Sequence, residues 1–369
     1  MRRRPEILLL FASCIFCAVA LETLFYFLEM TQKTYPSVVY HTEKDRVKLM
    51  CYDEEFHSSA DWDLRGNHPY SMLRYGSNMD NDSTLVGLDP LLVPHAVEIE
   101  FNEIGFRERS MQQLVADDSS EVTLFIGDSF GAGQGVRRAD RLTERLEQRL
   151  NAVPGSDPHL LVNFCMMGYN IGLASQTLAQ NLVSFAHLRR VVYIFALNDP
   201  MRDKQAHQMS QSINDFMHLR DNLLSETVDG TIIGRSNTGS WVAKRLASRR
   251  LSEQTIEWYR YMFSDNAGWR ATTARLDQMR DRCQQVDAEF IIVLFPLLLD
   301  LENYPLREAH VAMGNYARGG GIRFIDLLEV FEGSDEEDYW VHPRDFHPNH
   351  QAHGEAAGFL FDRIDWQHR

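Results

Sequence analysis

Cysteine is sparse. Five occur in 369 residues, and Cys14 and Cys17 fall in an apolar N-terminal segment, leaving Cys51, Cys165 and Cys283 in the body. Three thiols close one disulfide at most, which excludes a disulfide-held scaffold. The body has no CxxC pair and no His/Cys cluster with metal-ligand spacing, so neither a metal nor a cofactor is expected. Cys165 lies inside the apolar run "LLVNFCMM", where a free, inert core thiol is the default. Positive charge is also short: 37 Lys and Arg stand against 52 Asp and Glu, a formal net charge of -15. A folded surface this acidic repels a phosphate backbone, so no nucleic-acid partner is expected. Internal repeats and low-complexity tracts are missing as well.

What is present begins with "MRRRPE" followed by "ILLLFASCIFCAVALETLFYFL", 22 residues from Ile7 to Leu28 broken only by Glu22. That length spans a bilayer core as a helix, with the arginines holding the N-terminus in the cytoplasm and the body outside. "AVA" at 18–20 resembles a signal-peptidase site whose cleavage would release a secreted protein, but the apolar run continues past it, which favours an uncleaved anchor. Residues 1–30 are therefore expected to be an anchor or signal segment, and 31–119 a strand-rich extension with strands at "SVVY", "RVKLMCY" and "HAVEIEFN".

From about residue 120, apolar runs alternate with helical stretches. "VTLFIG" (122–127), "HLLVNFCM" (159–166), "RVVYIFAL" (190–197), "EFIIVLFPLL" (289–298) and "IRFIDLL" (322–328) are continuous enough for strands covered on both faces. Alternating βα units predict a doubly wound α/β domain over 120–369, with its site at the carboxyl ends of the strands. The interval 200–287 is too long for a plain crossover and reads as a helical insertion beside that site. It carries Trp241, Trp258, Tyr259, Tyr261, Phe263 and Trp269 with "KRLASRR", which could hold a sugar but fit a helix core and a solvated face better.

The first strand runs into "GDSFGAGQGV". A P-loop is excluded, because Gly135 is followed by Val136 and Arg137 instead of Lys and Ser/Thr. A dinucleotide fingerprint fits partly, with Val136 where the third glycine belongs. "GDSFG" matches GxSxG, in which Ser129 is exposed on a tight strand-to-helix turn, though a serine that merely caps the helix is an equal competitor. Gly168 in "MMGYN" follows the second strand, and Asn198 in "ALND" ends the third. In "HPRDFHPNHQAHGEAA", Asp345 precedes His347 by two, so in an extended loop the carboxylate can orient the imidazole. His342, His350 and His353 are the competing histidines, and Pro348 suits the opening of a helix. Asp128 and Asp199 are candidate substrate contacts, although Asp199 could equally cap a turn.

Over roughly residues 120–360 these pieces resemble the SGNH, or GDSL, hydrolase superfamily: "GDSFGAGQGV", the glycine of "MMGYN", the asparagine of "ALND" and the histidine of "DFHPN". "FNEIGFRER" (101–109) resembles a segment found before the first block in membrane-anchored members. The third block departs from the usual pattern with Ala196, and the aspartate often found three before the histidine is replaced by Arg344, leaving Asp345 to serve. The resemblance implies a three-layer sandwich of flavodoxin-like topology. It also implies an extracytoplasmic serine esterase or O-acyltransferase acting on acyl or acetyl esters of envelope glycans or lipids. Ser129 would be the nucleophile, His347 the base and Asp345 its orienter. The oxyanion would be held by the Ser129 and Gly168 N–H groups and the Asn198 amide. A non-catalytic relative binding a glycan or an assembly partner is the alternative.

Overall fold

The computed structural model describes residues 4–30, 41–42, 48–50, 97–99, 101–102, 104–222, 236–342 and 345–366. They fall in two compact units. One combines Met1–Tyr35 with Lys204–Tyr261, and the other combines Pro36–Asp203 with Met262–Arg369.

In the first unit, α1 (Arg4–Met30) contains the expected N-terminal helix. Its side chains Leu10, Phe11, Ile15, Phe16, Val19 and Leu24 are exposed. Among the described residues, no helix is long and apolar enough to cross a membrane.

The second unit opens with three short strands, β1 (His41–Thr42), β2 (Lys48–Met50) and β3 (Val97–Ile99), paired antiparallel in that order. The expected strand "SVVY" lies outside the described residues. After α2 (Met111–Ala116) come β4 (Glu121–Gly127), α3 (Ser129–Ala132), α4 (Leu142–Asn151), β5 (His159–Cys165), α5 (Ile171–Asn181) and β6 (Leu188–Ala196). The chain then contributes α6 (Lys204–Asn222) and most of α7 (Asn237–Met262) to the first unit. It returns through α8 (Ala267–Gln285), β7 (Glu289–Phe295), α9 (Arg307–Gly319), β8 (Arg323–Asp326), α10 (Leu328–Phe331), the antiparallel pair β9 (Trp340–His342) and β10 (Asp345–Pro348), and α11 (His350–Arg363).

The long strands form one all-parallel sheet in the order β5-β4-β6-β7-β8. All seven residues of β5 are buried, and β4, β6 and β7 each carry a single residue short of that, as strands covered on both faces should. The order reverses at β4: the first crossover runs to β5 and the next returns past β4 to β6. Right-handed crossovers then put helices on both faces, consistent with α4 packing on α11 and α5 on α8. The reversal leaves a crevice beyond the carboxyl ends of β4 and β6, the binding position of open α/β sheets.

One expected boundary moves. The insertion is 204–261, not 200–287, because α8 buries Thr272, Leu276, Met279 and Cys283 at three- and four-residue spacing and leads into β7. At the end of the expected extension, residues 107–109 bond into the core around β4 and β5. In the insertion, Trp258 is buried with its Nε1 donating to the Ala206 carbonyl at 3.0 Å, and past its end Phe263 is buried as well, which is the helix-core reading of these two aromatics.

Candidate active site

β4 ends on Gly127 because the neighbouring strand leaves no room for a side chain: a Cβ there would lie 2.5 Å from the Ile194 carbonyl oxygen of β6. Asp128 then caps α3, its carboxylate accepting the Phe130 N–H at 2.9 Å. After one turn the chain reverses at Gly133, whose φ of 67° is left-handed and whose N–H returns to the Ser129 carbonyl. Gly131 admits no Cβ because the Cys165 thiol of β5 lies against it. Ser129 is thereby held at the first position of a short helix, at the sheet's reversal, with 7% of its surface exposed.

Its hydroxyl lies 2.9 Å from Nε2 of His347 and 3.4 Å from Oδ2 of Asp128. The imidazole is the closer partner, since 2.9 Å lies within the ordinary hydrogen-bond range and 3.4 Å beyond the usual O–H···O distance. That is the geometry of a serine with its general base. His347 is fixed from both sides. The Phe130 ring lies 5.3 Å from its ring, and the following residue but one, Asn349, is tied back to the preceding turn. The Asn349 N–H donates to the Tyr339 carbonyl at 2.8 Å and its Nδ2 to the Asp338 carbonyl at 2.8 Å, while its Oδ1 caps α11. Asn349, not Pro348, is thus the residue that starts the last helix; Pro348 ends β10.

The other histidines drop away. His350 is exposed on α11. His353 is fully buried, its Nδ1 accepts the Leu142 N–H at 3.1 Å, and burial assisted by the Arg141 charge pushes its pKa down to about 3, so it is a neutral packing group. The side chains of His342 and Asp345 lie outside the described residues; the backbone of Asp345 opens β10, two residues before His347.

Asn198 follows β6 on the far side of β4 from β5. Its amide bonds the Asp128 carboxylate, and its own Oδ1 makes no hydrogen bond, so Nδ2 is the donor. Gly168 lies past β5 in a turn closed by the Tyr169 N–H on the Met166 carbonyl at 3.1 Å. It is exposed and left-handed with φ 78°, three residues beyond Cys165, which pairs with Gly127 across the register. The structure therefore brings Ser129, His347, Asp128 and Asn198 into one bonded group, with Gly168 at the end of the adjacent strand.

The two aspartates expected as substrate contacts require correction. Asp199 is fully buried, with Oδ2 accepting both the Tyr193 hydroxyl and the Ala196 N–H at 3.0 Å. It shapes the turn that carries Asn198 and has no surface to offer a ligand. Burial, then the nearby Asp128, pushes its pKa well above the carboxylate range. Asp128 is 1% exposed, and its oxygens are taken by Phe130, Ser129 and Asn198. Burial pushes its pKa up to about 6 against the opposing pull of those donors and the His347 charge. Both carboxylates face inward because the cleft-side positions go to Ser129 and Asn198. Among the described residues, no group of three or more His, Cys, Asp or Glu side chains could hold a metal ion.

Sequence reasoning marked 101–109 only as a resembling segment and gave no role to Arg107, Glu108 or Asn163, which bond the serine turn and its neighbouring strand. The signals were that segment and an asparagine in the middle of the apolar run of β5.

A doubly wound α/β domain with a serine–histidine pair at its sheet reversal is the class that this fold and site define. No protein-family model and no curated protein matches the chain. Among solved structures it is similar to TesA (TM-score 0.39, 13% identity, covering 65% of this chain and 96% of that one). It is also similar to the psychrotrophic esterase EstA from Pseudoalteromonas sp. (0.39, 12%, 66% and 96%) and to the acetyl xylan esterase AlAXEase (0.40, 11%, 66% and 100%). Likenesses this slight carry no weight for chemistry, which rests on the bonded geometry.

Proposed function

We propose that the protein is a serine esterase of the SGNH type, or an O-acyltransferase built on the same chemistry, acting on acyl or acetyl esters of envelope glycans or lipids. The observation that carries the reading is the 2.9 Å approach of the Ser129 hydroxyl to His347 Nε2 at the reversal of the sheet. Ser129 Oγ attacks the ester carbonyl as its proton passes to Nε2. The carbonyl π electrons move onto oxygen, and the oxyanion is met by N–H donors from Ser129, Gly168 and Asn198, each contributing about 3 kcal/mol by analogy with other sites. The intermediate collapses, the alcohol leaves with the proton from Nε2, and the acyl group stays on Oγ. Water or a second hydroxyl, deprotonated by His347, then releases the acyl group, which distinguishes hydrolysis from transfer. Asp345 orients the imidazole in this reading, a role that comes from the resemblance.

Action outside the cytoplasm, with attachment to a membrane through α1, belongs to the same proposal. The arginines before an apolar helix and the exposed apolar side chains along it support it.

The test is reaction of the full chain with a fluorophosphonate probe and with p-nitrophenyl acetate. Labelling and turnover are expected, and both should vanish in Ser129→Ala and fall at least about a thousandfold in His347→Ala. A Ser129→Ala protein that turns over like the parent sinks the esterase reading. An inert parent with intact glycan binding would make the protein a binding module.

A further inference from the structure

A one-turn helix cannot hold a nucleophile by itself, because α3 is four residues long and is followed by glycines of left-handed conformation at 133 and 135. Its carbonyls are nevertheless bound. Arg107, 2% exposed, donates through Nη1 to the Gly133 carbonyl at 2.9 Å and through Nη2 to the Val136 carbonyl at 2.6 Å. Gly133 in turn gives its N–H to the Ser129 carbonyl, as does Gln134 at 3.1 Å. Two hydrogen bonds thus connect the guanidinium to the serine's own peptide. Glu108 extends the same support. Its Oε2 accepts the Asn163 N–H of β5 at 2.8 Å, and the Asn163 Nδ2 donates to the Gly131 carbonyl at 2.9 Å. The strap carrying both residues is held in shape from within and fastened by Arg109. Asn102 Oδ1 accepts the Phe106 N–H at 2.9 Å and its Nδ2 donates to the Arg109 carbonyl at 2.9 Å, while Arg109 makes a two-point pair with Glu147 at 3.0 and 2.9 Å and reaches the Leu161 carbonyl at 2.7 Å.

We infer that Asn102 and residues 104–109 form a positioning strap, with Arg107 as the positioning residue that fixes the Ser129–Phe130 peptide plane, and so the aim of the Ser129 hydroxyl. A fork with five donors suits this task. Lys would supply one compact charge that reaches one carbonyl, whereas Arg spans two carbonyls on opposite sides of the reversal. The strap touches nothing that reacts. Its effect on rate arises because a nucleophile displaced by a fraction of an ångström from its base loses catalysis while the cleft still binds substrate.

The inference rests on the esterase reading for its kinetic consequence but not for its structural one, and the experiment separates the two. Arg107→Met, Arg107→Lys and Arg107→Ala are made in the full chain, and folded material is selected by its thermal transition. Fluorophosphonate labelling rates, kcat and KM for p-nitrophenyl acetate, and amide hydrogen exchange over 129–136 are then measured. In Arg107→Met, kcat and labelling rate per folded molecule should fall at least tenfold with KM within twofold. Exchange at Gly133 and Gln134 should accelerate at least tenfold, Arg107→Lys should be intermediate, and methylguanidinium should restore part of the rate in Arg107→Ala. Parent-like labelling and kcat in folded Arg107→Met, or a loss confined to KM, overturns the positioning role. If the parent is itself unreactive the esterase reading fails, and the strap then stands or falls on exchange alone, with unchanged protection at 133 and 134 refuting it.

Discussion

Replacing Asp128 by Asn should make the protein more stable at alkaline pH while weakening the serine site, two effects of opposite sign from one buried charge. The carboxyl is 1% exposed and titrates at about 6 in the folded chain, against 3.8 for the free group. The native state therefore binds the proton more tightly than the unfolded chain does. The stabilisation is fully present below pH 3.8, is lost as the pH rises through about 6, and stays lost above it. About two pKa units correspond to roughly 3 kcal/mol by pH 8. Asn keeps the shape and an oxygen for the Phe130 N–H, cannot ionise, and so removes this slope. His353, pushed down to about 3, and Glu144, held at about 2, add slopes of the other sign, because both weaken folding as the pH falls. Subtracting the parent's unfolding free energy from that of Asp128→Asn at each pH removes their contribution.

The assay is equilibrium urea unfolding of both proteins between pH 4 and 8. The difference curve should rise by about 2–3 kcal/mol between pH 4 and 7 and then flatten. On the functional side, an ionised Asp128 favours the protonated imidazole, since the His347 charge pulls the Asp128 pKa down and the coupling is mutual. Without it, the acid limb of the kcat/KM profile should move to lower pH. Asn also competes for the Asn198 amide, so the plateau rate should drop. Parallel stability curves for the two proteins across this range would refute the burial argument, and an unmoved acid limb would refute the coupling to His347.

Glu144→Gln should destabilise by about 3 kcal/mol at pH 7, because it leaves the fully buried Arg141 guanidinium, which now holds the Glu144 carboxyl at about 2 despite the opposing effect of burial, with only the more distant Glu108 carboxylate at 3.9 Å. The parent's share of that stability is present above pH 4.5 and is lost as the pH falls towards 2, so the variant and parent should converge in acid unfolding; a constant gap down to pH 2 contradicts the pairing. Cys165, 1% exposed with its thiol pushed well up by burial, should resist N-ethylmaleimide in the native chain and react only after urea is added. Mass-spectrometric modification of native Cys165 at the denatured rate would show that the floor under Gly131 is open.

Much of this arrangement could be read from the chain, and the reasons differ by feature. β4 to β7 were legible because a strand covered on both faces must be apolar at every position, and "HLLVNFC" or "EFIIVLF" has no other use for such a run. Ser129 and His347 were legible because a tight turn and a helix start leave local marks: glycines on one side, a Pro-Asn pair on the other. The limit of the insertion was not legible, since α6, α7 and α8 are all amphipathic and only tertiary contact shows that α8 belongs to the sheet. Nor was the inward turn of Asp128 and Asp199, because a carboxylate at a strand end has the same neighbours in sequence whether it faces the cleft or the core.

The strap is the instructive case. "FNEIGFRER" is noticeable in the chain only as a resemblance, which gives its residues no role; Arg107 and Glu108 are buried because their partners lie 26 to 55 residues away, in backbone groups that no residue pattern advertises. A turn that aims a nucleophile must be built from residues with little or no side chain, as Gly127, Gly131 and Gly133 are here, and such residues make few contacts of their own. Its rigidity therefore has to be imported through its carbonyls from donors elsewhere in the chain. Long-range charged donors such as Arg107 and polar interruptions such as Asn163 are the form that import takes in a sequence.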